Sequence, residues 1–129
     1  MALRILVVDD SPVMRSFIRR VLGLTGLEIE TTIEAGDGQE ALEVLDREWV
    51  DLIFTDINMP RMNGEEFVRR LSDSGVTATL PVVVISTDGT VVRKEMLAGL
   101  GARAYLQKPF SPEQLRDEVE RVLEVPHVH

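Results

Sequence analysis

Apolar runs and helix-spaced apolar positions alternate five times along the chain. The first run is Ile5-Leu6-Val7-Val8 (residues 5–8). A helix follows from Pro12, with Met14, Phe17, Ile18, Val21 and Leu22 recurring on one face. Ser11 suits its N-cap and Pro12 its first turn, while Gly23 and Gly26 supply stop signals. Residues 27–34 alternate, setting Leu27, Ile29, Thr31 and Ile33 against Glu28, Glu30, Thr32 and Glu34. After a turn at Gly36-Asp37-Gly38, a second helix packs Ala41, Leu42 and Leu45. A third strand is predicted over 51–55, and a third helix from about Gly64, packing Phe67, Val68 and Leu71. A fourth strand covers 82–85, after Pro81, and a fourth helix roughly 90–100. A fifth strand over 102–107 alternates again, and a fifth helix opens on the capping box Ser111-Pro112-Glu113-Gln114 and packs Leu115, Val119, Val122 and Leu123.

A (βα)5 alternation predicts an α/β fold, a doubly wound parallel sheet with helices on both faces. Strands covered on both faces read as continuous apolar runs, and half-covered strands alternate. Strands one, three and four are continuous, which puts them inside; two and five alternate, which puts them at the edges. Since consecutive strands tend to be neighbours, the order is 2-1-3-4-5. Ligands of such sheets bind beyond the carboxyl ends of the strands, where the order reverses. Here that point lies between strands one and three. The residues just past those ends are Asp9, Asp10 and Asp56.

A carboxylate at the end of a buried strand is costly unless something compensates it. Three together repel one another, and a hard divalent cation such as Mg2+ relieves this while keeping waters and room for phosphate oxygens. Strand four ends in Ser86-Thr87-Asp88-Gly89 and brings hydroxyls to the same edge, either of which could face the pocket. Strand five ends in Gln107-Lys108-Pro109-Phe110 and brings an ammonium. Acids, a hydroxyl and a lysine at strand ends suggest phosphoryl transfer onto Asp56, since carboxylates act as phosphoryl acceptors and in-line transfer needs mainly positioning and charge neutralisation.

The composition bounds the rest. A chain of 129 residues with 44% hydrophobic and 28% charged residues is expected to form one soluble domain. There is no cysteine, hence no disulfide framework or thiolate metal site. A net charge of −8 argues against direct nucleic-acid binding. No apolar run approaches the ~20 residues of a membrane helix, so no membrane insertion is expected. The N-terminus enters a strand pattern at once and lacks signal-peptide features, so the expected location is cytoplasmic.

Four stretches in this order are characteristic: Leu6-Val7-Val8-Asp9-Asp10-Ser11, Asp56 to Gly64, Val84-Ile85-Ser86 and Lys108-Pro109-Phe110. Through them the chain, over residues 4–123, resembles the receiver domains of two-component response regulators, above all stand-alone CheY-like receivers of chemotaxis. The family is flavodoxin-like and has the strand order inferred above. The resemblance implies that Asp56 is the phosphoacceptor, charged by a sensor histidine kinase. It implies that Asp10, Asp56 and the main-chain carbonyl of Asn58 bind Mg2+, with Asp9 acting through a water. Lys108 matches the family's invariant lysine, and the Lys108–Pro109 bond is expected to be cis. Ser86 matches the switch hydroxyl and Tyr105 the switch aromatic, so phosphorylation is expected to remodel the face of helix four, strand five and helix five. Thr87 stands where the family often has a small residue. Asp10-Ser11-Pro12-Val13-Met14-Arg15-Ser16 resembles chemotaxis receivers and makes a flagellar motor switch the preferred target.

The expected organisation is a receiver domain over 1–124 and a flexible C-terminal tail over 125–129, whose His127 and His129 are not expected to form a metal site. With the chain ending after helix five, output is expected through partner binding or phosphate relay rather than multiple-turnover catalysis. Three other readings compete. One is an aspartyl-phosphate hydrolase of haloacid-dehalogenase type, but Asn58 stands where its second acid would be. Another is a phosphorylation-independent binding module, which would not need the full acid, serine and lysine set. The last is flavin binding, disfavoured by two acids where a phosphate loop would lie.

Overall fold

The computed structural model describes residues 2–87 and 90–124; Met1, Asp88, Gly89 and residues 125–129 lie outside the described residues. Five strands form one parallel sheet, β1 (Leu3–Val8), β2 (Ile29–Ala35), β3 (Leu52–Thr55), β4 (Val82–Ser86) and β5 (Ala104–Gln107), in the order β2-β1-β3-β4-β5. The helices are α1 (Pro12–Gly23), α2 (Gly38–Arg47), α3 (Gly64–Asp73), α4 (Val91–Gly99) and α5 (Pro112–Glu124). A short 3-10 turn over Val76–Ala78, which no sequence signal announced, precedes β4.

The continuous apolar runs are explained by two separate cores. Alternate residues Ile5, Val7, Leu52, Phe54, Val83 and Ile85 pack with Ile18 and Leu22 of α1 and Leu115 and Val119 of α5. Their neighbours Leu6, Val8, Ile53, Val82 and Val84 pack on the opposite face with Ala41, Val44, Phe67, Leu71 and Leu97 of α2, α3 and α4. A strand buried on both faces has no polar side to show.

Three expectations are corrected. The alternation of β2 does not mark a single apolar face. Leu3 pairs with Ile29 but Arg4 with Thr31, so β2 carries one extra residue. Parity flips at such a bulge. Ile29 therefore packs with the α1/α5 core and Ile33 with the other. On α1, Phe17 is 40% exposed rather than core, meeting Phe110 edge-on with ring centroids 6.0 Å apart. On α2, Val44 is buried, whereas Leu42 and Leu45 are only half-buried. Strand and helix ends otherwise move by a residue or two. The α5 capping box forms reciprocally, Ser111 N–H donating to Gln114 Oε1 (2.8 Å) and Gln114 N–H to Ser111 Oγ (3.1 Å).

Candidate functional site

The sheet register builds the site. Val8 pairs with Thr55, and the ladder runs one step further as Asp56 N–H donates to the Val8 carbonyl (2.9 Å) and Asp9 N–H to the Ala35 carbonyl (3.0 Å). Asp9 and Asp56 thereby leave neighbouring strands side by side, at the point where the strand order reverses. Asp10 follows in the β1–α1 loop. One carboxylate oxygen from each of Asp9, Asp10 and Asp56 lies within 4.8 Å of the others.

The three acids differ in setting. Asp10 is exposed and Asp56 half-buried, while Asp9 is only 2% exposed. Asp9 Oδ1 accepts the Ser11 N–H (2.9 Å), but Oδ2 is buried with no hydrogen-bond partner. Lys108 Nζ lies 3.8 Å from that oxygen, close enough for attraction but not for a hydrogen bond. Burial pushes the Asp9 carboxyl above its ordinary value, against the Ser11 N–H. Asp56 and Asp10 act in the same direction as burial, and Lys108 opposes them.

A buried carboxylate oxygen without a donor, facing two further carboxylates, suits a cation. Oxygen donors alone, with no histidine or cysteine among them, suit a hard ion of the Mg2+ type. Asp9, Asp10 and Asp56 are the residues that could hold it.

Asp56 is oriented by local contacts. Its Oδ1 accepts the Ile57 N–H (2.7 Å), and its carbonyl accepts the Thr55 hydroxyl (2.9 Å). The loop after it closes at once: Gly64 N–H donates to the Ile57 carbonyl (2.7 Å). A Cβ on Gly64 would strike the Asp56 carbonyl and approach Ile57 Cα at 2.8 Å. Only glycine lets α3 start this close to Asp56.

The remaining predicted residues fall as follows. Ser86, 2% exposed, is the buried hydroxyl at the end of β4. Its carbonyl accepts the Lys108 N–H (2.8 Å), which stitches β4 to β5 beside the lysine. Thr87, the rival hydroxyl, is exposed and borders an apolar groove of about 490 Å3 with Val13, Phe17 and Phe110. The Lys108–Pro109 bond is cis. Asn58 is exposed on the loop after Asp56. Tyr105 is half-buried on β5, away from the acids, with Lys94 Nζ 5.7 Å from its ring centre.

Two supporting contacts were not anticipated. Arg15 Nη1 donates to the Asp9 carbonyl (2.6 Å) and its Nε to Glu34 Oε1 (2.8 Å), tying the β1–α1 loop to β2. Asp37, expected only as part of a turn, caps α2 by accepting the Glu40 N–H (2.9 Å) and takes the Arg61 Nε at 2.7 Å. An Asp before Gly38 at a helix start is a readable cap signal. Nothing in the sequence pairs it with a residue 24 positions on.

Comparison with known proteins agrees with this geometry. Residues 5–120 match the family described as "Response regulator receiver domain". The chain is 36% identical over 124 residues to a chemotaxis protein CheY homolog of Campylobacter jejuni, covering 94% of this chain and 92% of that protein. It is equally similar, 36% over 124 residues, to chemotaxis protein CheY1 of Helicobacter pylori, covering 94% and 97%. The solved structure of chemotaxis protein CheY4 of Vibrio cholerae superposes with a TM-score of 0.82 at 33% identity, covering 95% of this chain and 99% of that one. The hydrolase, binding-module and flavin readings gain no support from these matches. With its acids at the switch point, its β4 hydroxyl and its β5 lysine in this arrangement, the chain belongs to the response regulator receiver domains of CheY type.

Proposed function

We propose that Asp56 is the phosphoacceptor of a two-component phosphorelay, charged by a sensor histidine kinase. The carrying observation is the convergence of the Asp9, Asp10 and Asp56 carboxylates within 4.8 Å, with the Lys108 ammonium 3.8 Å from Asp9. An Asp56 carboxylate oxygen bonds to phosphorus as the bond from phosphorus to the donor's histidine nitrogen breaks. Ile57 N–H holds Asp56 Oδ1 and so sets the direction of the carboxylate. Asp10, Asp56 and the Asn58 carbonyl are the ligands proposed for Mg2+, with Asp9 acting through a water. When bound, the ion neutralises charge on the phosphoryl oxygens. Lys108 adds a second positive charge on the β5 side.

Phosphorylation places roughly −1.5 to −2 charge at Asp56. The Ser86 hydroxyl then bonds a phosphoryl oxygen, and Tyr105 turns inward behind it. This biases the α4–β5–α5 face between two states. A phosphate-mimic complex with Tyr105 still outward and that face unchanged would sink the switch. The downstream target is proposed to be a chemotaxis component such as a flagellar motor switch, a reading supported by the chemotaxis relatives. The protein acts as a substrate and signal carrier in the cytoplasm, not as a multiple-turnover enzyme. Among the described residues no helix is long and apolar enough to cross a membrane.

The test is Mg2+-dependent uptake of a phosphoryl group from acetyl phosphate, read by intact mass. Wild type gains one phosphoryl group and Asp56→Asn none. Labelling of Asp56→Asn at the wild-type rate would move the acceptor elsewhere.

A further inference from the structure

We infer that Asp37 and Arg61, which lie outside the cluster of Asp9, Asp10 and Asp56, form a latch that positions the β3–α3 loop for divalent-cation binding. The inference rests on the metal site proposed above.

Three observations meet at this contact. First, Arg61 has φ +60°, in the left-handed region that a non-glycine residue rarely adopts. It sits at the centre of a three-residue turn closed by Met62 N–H donating to the Pro60 carbonyl (2.6 Å). Such turns with positive φ are strained and persist only where the surroundings impose them. Second, the imposing group is the Asp37 carboxylate. Asp37 Oδ2 accepts Arg61 Nε at 2.7 Å, with Nη2 also at 2.7 Å, and the Asp37 side chain is 6% exposed against 65% for Arg61. A buried acceptor, already held by its cap bond to Glu40, is a fixed post for an exposed arm. Third, the next residue locks into α2. Met62 accepts the Gly38 N–H at 3.0 Å, and its Cγ and Sδ occupy the space a Gly38 Cβ would need, at 2.8 and 2.9 Å.

The loop from Asp56 to Gly64 is thus pinned at two places. Gly64 closes its root on Ile57. Arg61 and Met62 tie its far side to α2. Between the pins lies Asn58, whose carbonyl is the proposed ligand from this loop. Without the latch, the turn at Arg61 can relax to negative φ and carry Met62 off Gly38. The pocket then has to order the loop when the ion binds, and affinity falls.

The experiment measures Mg2+ dissociation constants by calorimetry for wild type, Arg61→Ala, Arg61→Gly and Asp37→Asn. Asparagine keeps the helix cap while removing the charge. Acetyl phosphate labelling across a Mg2+ titration is run alongside. The latch predicts that all three variants stay folded by circular dichroism and bind Mg2+ roughly tenfold more weakly. Labelling rates at saturating Mg2+ should stay within about twofold of wild type, because the chemistry is untouched. A double variant Asp37→Asn/Arg61→Ala should be no weaker than either single one. Wild-type affinity in folded variants would overturn the latch. So would wild-type affinity in Arg61→Gly alone, since backbone conformation would then suffice. A labelling rate lowered equally at every Mg2+ concentration would also overturn it, as general loss of structure. Failure of wild type itself to bind Mg2+ would instead remove the metal site, and the latch with it.

Discussion

Two buried aspartates lie near the β3–α3 loop, Asp9 beside Asp56 at its start and Asp37 against Arg61 within it, and are treated in opposite ways. Asp37 is 4% exposed and Asp9 2%. Each accepts a backbone N–H on Oδ1, from Glu40 and Ser11 respectively. They part at Oδ2. That of Asp37 takes the Arg61 guanidinium at 2.7 Å; that of Asp9 has no donor, and its nearest cation stands off at 3.8 Å. Burial pushes both carboxyls up. For Asp37 the Glu40 N–H and Arg61 outweigh it, and the carboxyl lies below its ordinary value; for Asp9 burial and the neighbouring acids win, and it lies above. Burial is therefore shared, and donor supply decides. A satisfied buried acid belongs to the scaffold, and a buried acid left short of donors marks where something else must bind.

The strongest way to break this comparison is Asp9→Asn. It should weaken Mg2+ binding by about 10- to 100-fold in calorimetry. In metal-free protein it should raise the melting temperature, with a gain of roughly 0.5–2 kcal/mol, because an uncompensated charge is removed. A metal-free Asp9→Asn protein less stable than wild type would mean that Asp9 is satisfied after all. Next in size, Asp37→Ala should destabilise the metal-free protein by about 1–2 kcal/mol, mostly through the lost helix cap. The exposed guanidinium of Arg61 adds less, because solvent screens it. Chemical denaturation at neutral pH reads this directly, and the two substitutions should move the midpoint in opposite directions.

The smallest effect is in the pH profile. Asp37 has a folded value below its unfolded one, near 3.8, so the unfolded chain binds more protons in that window. Its contribution is full above the unfolded value and is lost as pH falls through the folded one. Asp9 has the reverse sign. In metal-free protein its folded value lies above 3.8, so stability falls as pH rises from 3.8 through that value. Urea midpoints of metal-free protein should show Asp37→Asn with a flattened acid limb and Asp9→Asn without the decline above it. Each difference should be on the order of 1 kcal/mol or less. Parallel profiles for the two variants would erase the distinction.

Much of this is legible in the amino-acid sequence. Residues 5–8, 52–54 and 82–85 are continuously apolar, and that, with the tendency of consecutive strands to be neighbours, ordered the sheet and put Asp9, Asp10 and Asp56 at its switch point. The capping box at Ser111–Gln114 and the proline positions were readable because they are local. Local patterning erred where it was interrupted or truncated. The bulge beside Ile29 and Thr31 split the apolar face of β2, since one inserted residue reverses parity without altering the sequence's alternation. Phe17 had the right spacing for the core and lies at its margin, because spacing assigns a direction on a helix but not the depth of what covers it.

What the sequence determined by itself is the alternation of elements, their order in the sheet and the chemical types that meet at its edge. These follow from periodicity and from chain connectivity, which are properties of neighbours along the chain. Only the tertiary structure decided which hydroxyl is buried, Ser86 rather than Thr87. It also decided which aspartate lacks a donor and which one Arg61 satisfies across 24 residues. Hydrogen-bond satisfaction and burial depend on groups far apart in sequence coming within about 3 Å. No local pattern encodes that distance.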